Sequence, residues 1–190
     1  MVDWRPFAGD WGIVLGASSG FGAATARALA RHGMSIVGVH LDRKATLPLA
    51  EAVAVDVRAA GAAAHFFNVN AADADKRAQV CERTRELTGG ARVRLLMHSL
   101  AFGTLRPFVD EADPARQTTK AQLEMTLDVM ANTLVYWVQE LRGRGLLGAG
   151  SRVFAMTSSG GTRVMPFYGA VSAAKAALES HVRQLARRTA

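Results

Sequence analysis

"WGIVLGASSGFGAATARALARHG", residues 11–33, decides the fold. Its opening, Trp11 to Leu15, is an apolar run of strand length that ends at Gly16. Its second half sets small and apolar side chains at helical spacing and stops at Gly33. Between them lies "GASSGFG", Gly16 to Gly22, at the seam of strand and helix. That context gives the glycines their meaning, since a glycine-rich turn elsewhere is a weak signal. Gly16 permits a tight turn, Gly20 lets backbone approach an anionic group closely, and Gly22 lets the helix pack on the strand. The helix start then offers free N–H groups and a positive dipole end, with the Ser18 and Ser19 hydroxyls as further donors and Phe21 beside them. The competing reading is a glycine turn with no ligand.

Outward from this seam the pattern alternates. "SIVGVHL" reads as a second strand, and the stretch around "LAEAVAVDVRAAG" as a helix ended by Gly61. "AAHFFNV" is a third strand, "DADKRAQVCERTREL" a helix closed by Gly89 and Gly90, and "RVRLLMHSL" a fourth strand. Residues 103–119 read as a loop. "KAQLEMTLDVMANTLVYWVQELRGRG" reads as one long helix, "SRVFAMTSS" as a fifth strand and "VSAAKAALESHVRQLARR" as the closing helix. Such alternation predicts an α/β fold, a doubly wound parallel sheet of about five strands in a single domain over residues 1–190.

Composition bounds the rest. A hydrophobic fraction of 49% supplies a core and excludes disorder. The apolar runs are too short and interrupted to span a membrane, and "MVDWRPFAGDWG" has no basic segment followed by an apolar core. A cytoplasmic location is the expectation. Cys81 is the only cysteine, so no internal disulfide forms, and it reads as an ordinary helix residue. The formal charge is +7, and residues 141–190 account for it. There Arg142, Arg144, Arg152, Arg163, Lys175, Arg183, Arg187 and Arg188 face Glu179 alone. A basic end of this kind suits a phosphorylated ligand, an acidic protein or nucleic acid, or is a solvated helix face. No zinc-finger spacing or RNP-type aromatic motif supports nucleic acid, and the histidines show no metal-ligand spacing.

The G-x-x-x-G-x-G spacing resembles that of the short-chain dehydrogenase/reductase family, with Leu15 where the family usually has threonine. The resemblance runs the length of the chain and implies a Rossmann-type sheet that binds a nicotinamide dinucleotide. At the adenosine end, His40 falls where the family's NAD-selecting acid would stand, and Asp42 lies one step further into the loop. Arg43 and Lys44 follow and could neutralise a 2′-phosphate. NADP(H) is therefore favoured, with NAD(H) as the alternative. Asn68 and Val69 match the family's adenine-contacting pair.

Near the end of the chain, "YGAVSAAK" separates Tyr168 from Lys175 by seven positions, where most of the family has four. Four before Lys175 is Val171, which has no hydroxyl, whereas Ser158 stands at the family's serine position. Seven residues are 700°, only 20° short of two turns, so on a helix Tyr168 shares the face of Lys175 from about 10.5 Å away. The wider spacing resembles the divergent enoyl-acyl carrier protein reductases, and "HSLAFG" resembles their His-Ser-Ile-Ala/Gly-Phe motif. This resemblance implies Tyr168, Lys175 and Ser158 as catalytic residues, with Tyr168 bonded to a thioester oxygen. Lys175 would hold the nicotinamide ribose. Ser99, Leu100 and Ala101 would line the nicotinamide, and Phe102 the substrate wall. The family's helix asparagine is replaced by Met130, with Asn132 displaced by two. His98 reads as structural.

The implied function is NAD(P)H-dependent reduction of an enoyl thioester on an acidic acyl carrier protein. A carbonyl reductase of the same family and a non-catalytic nucleotide-binding module are the alternatives. Two further family strands are absent, so a C-terminally truncated chain is expected. The apolar girth of "LDVMANTLVYWVQEL" predicts a homo-oligomer in the full-length form.

Overall fold

The opening apolar run forms strand β1 (Trp11–Leu15), and Ile13, Val14 and Leu15 are fully buried. The structure is a computed structural model that describes residues 4–188, with side chains described to residue 186. The side chains of Arg187 and Arg188, counted above in the basic end, therefore lie outside the described residues. Helix α1 (Gly20–Arg31) follows β1 and buries Gly22, Ala23, Ala26 and Ala30, small residues that let helix and sheet approach closely. Next come β2 (Ser35–His40), α2 (Leu47–Ala59), β3 (Ala64–Asn68), α3 (Ala74–Leu87) and β4 (Leu95–His98). Asp73 caps α3 by accepting from the Lys76 N–H at 2.9 Å, which satisfies one of the orphan donors at a helix start. Helix α4 (Lys120–Leu127) begins at a Thr119/Gln122 capping box. A π segment, Asp128–Asn132, joins it to α5 (Thr133–Gly143). Strand β5 (Arg152–Ala155) and α6 (Gly169–Arg188) complete the order.

The five strands form one sheet in the order β3-β2-β1-β4-β5. The pairs β1–β2, β1–β4 and β2–β3 are parallel. In register, Leu15 stands beside Val39 and His98, and His40 beside Asn68. The chain winds one way from β1 and returns to its other side at β4, so a switch point lies between those two strands. Ligands in open parallel sheets bind beyond the carboxyl ends of the strands at such a point. Gly16 and Ser99 are the residues that follow β1 and β4 there.

The chain gathers into two compact units, Met1–Ser99 with Gln139–Phe154, and Leu100–Val138 with Ala155–Ala190. The first carries the strands described above with α1, α2 and α3. In the second, α6 packs on α4 and the π segment. Its core joins Met130, Val171 and Ala174, with Leu127, Val129 and Tyr168 packed against them.

Five sequence expectations shift. The long helix holds, but with a π turn at its middle. There Thr126 and Thr133 hydroxyls bond back to the carbonyls of Gln122 and Val129, both at 2.7 Å, and such back-bonding loosens the regular ladder. The fourth strand begins at Leu95 because the Val93 N–H is taken by the Leu146 carbonyl at 2.9 Å. The fifth strand stops at Ala155, since the Met156 carbonyl accepts from Lys175. Helix α6 starts at Gly169, two residues before the Val171 expected, and the Tyr168 carbonyl accepts the Ser172 N–H at 2.7 Å. Tyr168 is therefore the residue that flanks the first turn. Trp137, read as part of a face needing a partner, is fully buried within the single chain, and Tyr136 is half-buried.

Candidate active site

The candidate residues fall into two groups, one in each unit. In the first unit the glycine loop leaves β1 with Gly16 in the left-handed region, φ 87°, where a side chain would be strained. A Cβ on Gly22 would collide with the Gly16 carbonyl oxygen, so only glycine lets α1 begin this close to the loop. Before Gly20, by contrast, the space is open. Ser19 caps α1 without a side-chain bond to the helix, which leaves its hydroxyl for another partner. Phe21 is exposed. An open face of backbone N–H groups at a helix start, flanked by hydroxyls, fits the pyrophosphate of a dinucleotide.

At the far side of the same unit the ends of β2 and β3 converge on Asp42. Asn68 Oδ1 accepts the Asp42 N–H at 2.9 Å, and Asn68 Nδ2 donates to the Asp42 carbonyl at 3.0 Å. The Asn68 amide, expected at the adenine, is thus engaged with the backbone of Asp42. His40 Nδ1 lies 2.9 Å from Asp42 Oδ2. Burial works to raise the Asp42 pKa, but hydrogen bonds from Thr46, Ser18 and His40 outweigh it and hold the carboxyl below its ordinary value. Arg43 and Lys44 are exposed, and Val69 is half-buried with its N–H on the His40 carbonyl at 2.8 Å. The sequence placed Asp42 in the loop; the contacts that fold it back were not visible there. Ser99, also in this unit, donates its N–H to the Leu15 carbonyl at 2.9 Å, and His98 is fully buried.

In the second unit Tyr168 meets Ser158, and Lys175 meets the carbonyl of Met156, two residues before Ser158. The Tyr168 hydroxyl donates to Ser158 Oγ at 3.2 Å, and the Gly160 N–H donates to the same oxygen at 3.2 Å. A hydroxyl has two lone pairs and one proton, so the Ser158 proton remains for a further acceptor. A Cβ on Gly160 would strike the Tyr168 ring, so this glycine is what allows the ring to lie against the Ser158 turn. Lys175 is only 5% exposed. Its ammonium donates to the Met156 carbonyl at 2.7 Å and, more weakly, to the Leu100 carbonyl at 3.5 Å. Of its three donors one is left for a ligand hydroxyl. Burial pushes the Lys175 pKa down.

Val171, four before Lys175, is buried in the core with Met130, so no hydroxyl exists at the family's usual position. Asn132 is also withdrawn, its Oδ1 lying 3.1 Å from His181 Nε2. Ala101 and Phe102 are exposed, and only the carbonyl of Leu100 joins the group. Sequence reasoning missed the Met156 and Leu100 carbonyls, because any residue can supply them. It also missed Phe167, which precedes Tyr168 with φ 60°, rare for a bulky residue. The glycine pair after Ser159 was the available signal for a tight turn beside Ser158.

Other groups are set aside by their surroundings. The buried Cys81 thiol is pushed up to about 12 by burial and by Glu140, which makes it inert. In the basic end, Arg144 is paired with Glu82 at 2.6 Å and Glu140 at 2.8 Å, and Lys175 is buried. Among the described residues no group of three or more His, Cys, Asp or Glu could hold a metal, and no helix is long and apolar enough to cross a membrane.

The family described as Enoyl-(Acyl carrier protein) reductase matches residues 16–190. An "Enoyl-[acyl-carrier-protein] reductase [NADH]" of Streptomyces avermitilis is 32% identical over 219 aligned positions, covering 94% of this chain and 55% of the relative. The chain thus spans about half the length of that curated relative. Among solved structures, a short-chain dehydrogenase of Burkholderia cenocepacia in complex with NADP is similar at TM-score 0.80 and 26% identity. The match covers 96% of this chain and 69% of that one. A short-chain dehydrogenase/reductase of Serratia marcescens shares the fold at TM-score 0.82 and 23% identity, covering 97% of this chain and 70% of the other.

Proposed function

The chain belongs to the short-chain dehydrogenase/reductase family, in the branch described as Enoyl-(Acyl carrier protein) reductase, and from that premise we propose that it reduces the C=C bond of an enoyl thioester with a nicotinamide dinucleotide. The observation that carries this reading is the Tyr168–Ser158 hydrogen bond, with Lys175 on the Met156 carbonyl two residues before Ser158 and Val171 in the core at the usual tyrosine position. A reduced nicotinamide supplies hydride. When hydride reaches the β-carbon of an enoyl thioester, negative charge develops on the thioester oxygen, away from the carbon attacked. Ser158 has a proton free to donate there, and Tyr168 donates behind it, so the two hydroxyls form a relay toward an oxyanion. The Lys175 ammonium, held by two carbonyls, has one donor for a ribose hydroxyl. Gly16, Gly20 and Gly22 with Ser18 and Ser19 form the cradle for the pyrophosphate.

Substrate character is consistent with the surroundings of Tyr168. A pocket of about 300 Å³ is lined by Leu105, Arg106, Pro107, Arg116 and Phe167, the residue next to Tyr168. Apolar walls with two guanidinium groups suit an acyl chain presented on an anionic carrier. Exposed Arg142, Arg152, Arg163 and Arg183 add positive charge for an acidic carrier protein. For the cofactor, Arg43 and Lys44 favour NADP(H), whereas the ordered carboxylate of Asp42 weighs toward NAD(H).

The hydroxyl pair also suits ketone reduction, in which the donor must reach the oxygen of the attacked carbon itself. Crotonyl and acetoacetyl thioesters, each with NADH and NADPH, separate the two by the loss of reduced cofactor. Turnover of the crotonyl compound is expected. Turnover of acetoacetyl alone would replace the enoyl reading with the ketone one.

A further inference from the structure

Residues 103–119 read as a loop, and they form one that closes on itself within the second unit. The Pro107 carbonyl accepts the Thr118 N–H at 2.8 Å, and the Arg106 carbonyl accepts the Thr118 hydroxyl at 3.1 Å. Asp110 turns the middle of the loop. Its Oδ1 accepts the N–H groups of Ala112 and Asp113 at 3.1 and 3.0 Å, and its carbonyl accepts from the Gln117 amide at 3.3 Å. Loops of this length inside a compact unit are uncommon and typically carry function. This one is also fixed to the Tyr168 corner. A Cβ on Gly169, the first residue of α6, would strike the Phe108 ring, so glycine there lets the loop close on the helix start. The pocket of about 300 Å³ lies in that closure, with Leu105, Arg106, Pro107 and Arg116 from the loop and Phe167 from the corner.

An acyl chain explains the apolar walls of this pocket but not its charges. The lining carries two guanidiniums and, among the described residues, no carboxylate. Arg106 spends one donor on the Ala115 carbonyl at 3.2 Å, and Arg116 Nε only approaches Asp110 Oδ2, at 3.7 Å. Both forks therefore keep donors for an anion. The acids of the loop are engaged elsewhere, Asp110 on backbone N–H groups and Asp113 on the Ala115 N–H at 3.0 Å, while Glu111 is exposed. We propose that the pocket holds the pantetheine arm of the thioester, with Arg106 and Arg116 gripping the phosphate at the far end of that arm. The proposal rests on the thioester reading and deepens it, since recognition then falls on the arm and not on the surface of whatever carries it. A long uncharged arm separates the phosphate from the sulfur, so its anion site belongs beside the reacting corner, where Phe167 adjoins Tyr168. The amides and dimethyl carbon of the arm suit walls made by Leu105, Pro107 and Phe167. Carrier-borne and coenzyme A thioesters share this phosphate, as a diester in one and within a diphosphate in the other. Both guanidiniums are exposed, so each contact is modest, and selectivity comes from presenting two of them on one braced loop.

Crotonyl-pantetheine and crotonyl-4′-phosphopantetheine differ by the phosphate alone, and they make the test. Their binding to the whole 190-residue chain is measured by calorimetry with oxidised dinucleotide present, and their KM values with NADH and NADPH. Wild type is expected to hold the phosphorylated compound tighter by on the order of tenfold, a preference that shrinks as salt is raised. Arg106→Gln combined with Arg116→Gln should bring the two compounds within about twofold. Thermal melts show whether the double variant folds. If the Arg106 bond to Ala115 proves necessary for folding, Arg116→Gln alone carries the result, with the preference reduced about threefold. Crotonyl-coenzyme A and a crotonyl-loaded carrier protein, run on the same proteins, separate the two sources. The one whose KM rises more in the variant is the one the pocket serves, and a rise for neither overturns the proposal. Equal binding of the two pantetheine compounds by wild type also overturns it, while reduction of crotonyl-pantetheine keeps the thioester reading. A preference that survives in the double variant overturns it too, because the phosphate is then held elsewhere. Reduction of no thioester with either dinucleotide overturns both.

Discussion

The glycine loop and the Tyr168 corner bring polar groups together by opposite means. In the loop the geometry is made by backbone, and the residues with φ in the left-handed region, Gly16 and Gly20, are glycines suited to it. At the corner it is made by side chains that meet across the sequence: Tyr168 with Ser158, and Lys175 with Met156 and Leu100. The one described non-glycine residue with positive φ, Phe167, sits there. A backbone device can be read from spacing. A side-chain device shows only its members, not their partners.

The largest effect is expected at Gly22. Substitution by valine would drive a side chain into the Gly16 carbonyl, and overpacking against backbone cannot be relieved by rotamer change. A loss of about 3 kcal/mol in urea unfolding is expected, with dinucleotide binding abolished. Stability within about 0.5 kcal/mol of wild type would show that the loop yields, and that its glycines are a sequence habit, not a packing requirement.

Lys175→Met attacks the corner instead. Turnover should fall on the order of 10³, and cofactor affinity with it, since the substitution removes both the charge and the remaining donor. The same variant tests the electrostatics. Burial disfavours the ammonium, so the folded-state pKa lies below the ordinary 10.5. Between that depressed value and 10.5 the unfolded chain binds more protons, so this group makes stability rise with pH across that window. Urea midpoints of wild type should gain on those of Lys175→Met there. Parallel pH dependence in the two proteins would mean that the two carbonyl partners offset the burial of the ammonium.

How legible each region was follows from the same contrast. "WGIVLG" and "SIVGVHL" were read correctly as strands, because consecutive buried apolar residues leave few alternatives. "SRVFAMTSS" read as a strand of nine and forms one of four, Arg152–Ala155, because a lysine nineteen residues later claims the Met156 carbonyl. Likewise the first turn of α6 was legible but not its start, and Asp42 was visible as a charge but not as a held one. Helical phase is a weaker guide at this end. Tyr168 precedes the helix, yet its carbonyl accepts the first bond of the ladder, and its hydroxyl meets Ser158, a partner that helical phase alone does not name.

Tyr168→Phe sharpens the comparison by removing a single atom. The ring remains against Gly160 and the Met130 core, so folding should be nearly unchanged. Turnover should drop by roughly 10²–10³, the effect of losing the hydroxyl that backs Ser158 at a developing oxyanion. Dinucleotide affinity should stay within about twofold of wild type, since the cradle belongs to glycine-loop backbone. A loss confined to affinity would place Tyr168 in binding and leave Ser158 as the sole donor.

The smallest effect is expected at Phe167, and it distinguishes the two regions most directly. A bulky residue at φ 60° costs about 1–3 kcal/mol, while its ring is 54% exposed and recovers part of that at most. Glycine at this position relieves the strain, as glycine already does at Gly16. Phe167→Gly should therefore unfold no more easily than wild type, and up to about 1 kcal/mol less easily once the added freedom of the unfolded chain is subtracted. Activity should move the other way. The left-handed turn aims the chain so that Tyr168 enters beside Gly160, and a flexible residue there lets the hydroxyl leave Ser158 for part of the time. A several-fold fall in turnover with unchanged or higher stability would identify the strain as serving the site. A fall in both would assign Phe167 to packing, and the corner would then resemble the glycine loop after all, with its conformation set by what surrounds it.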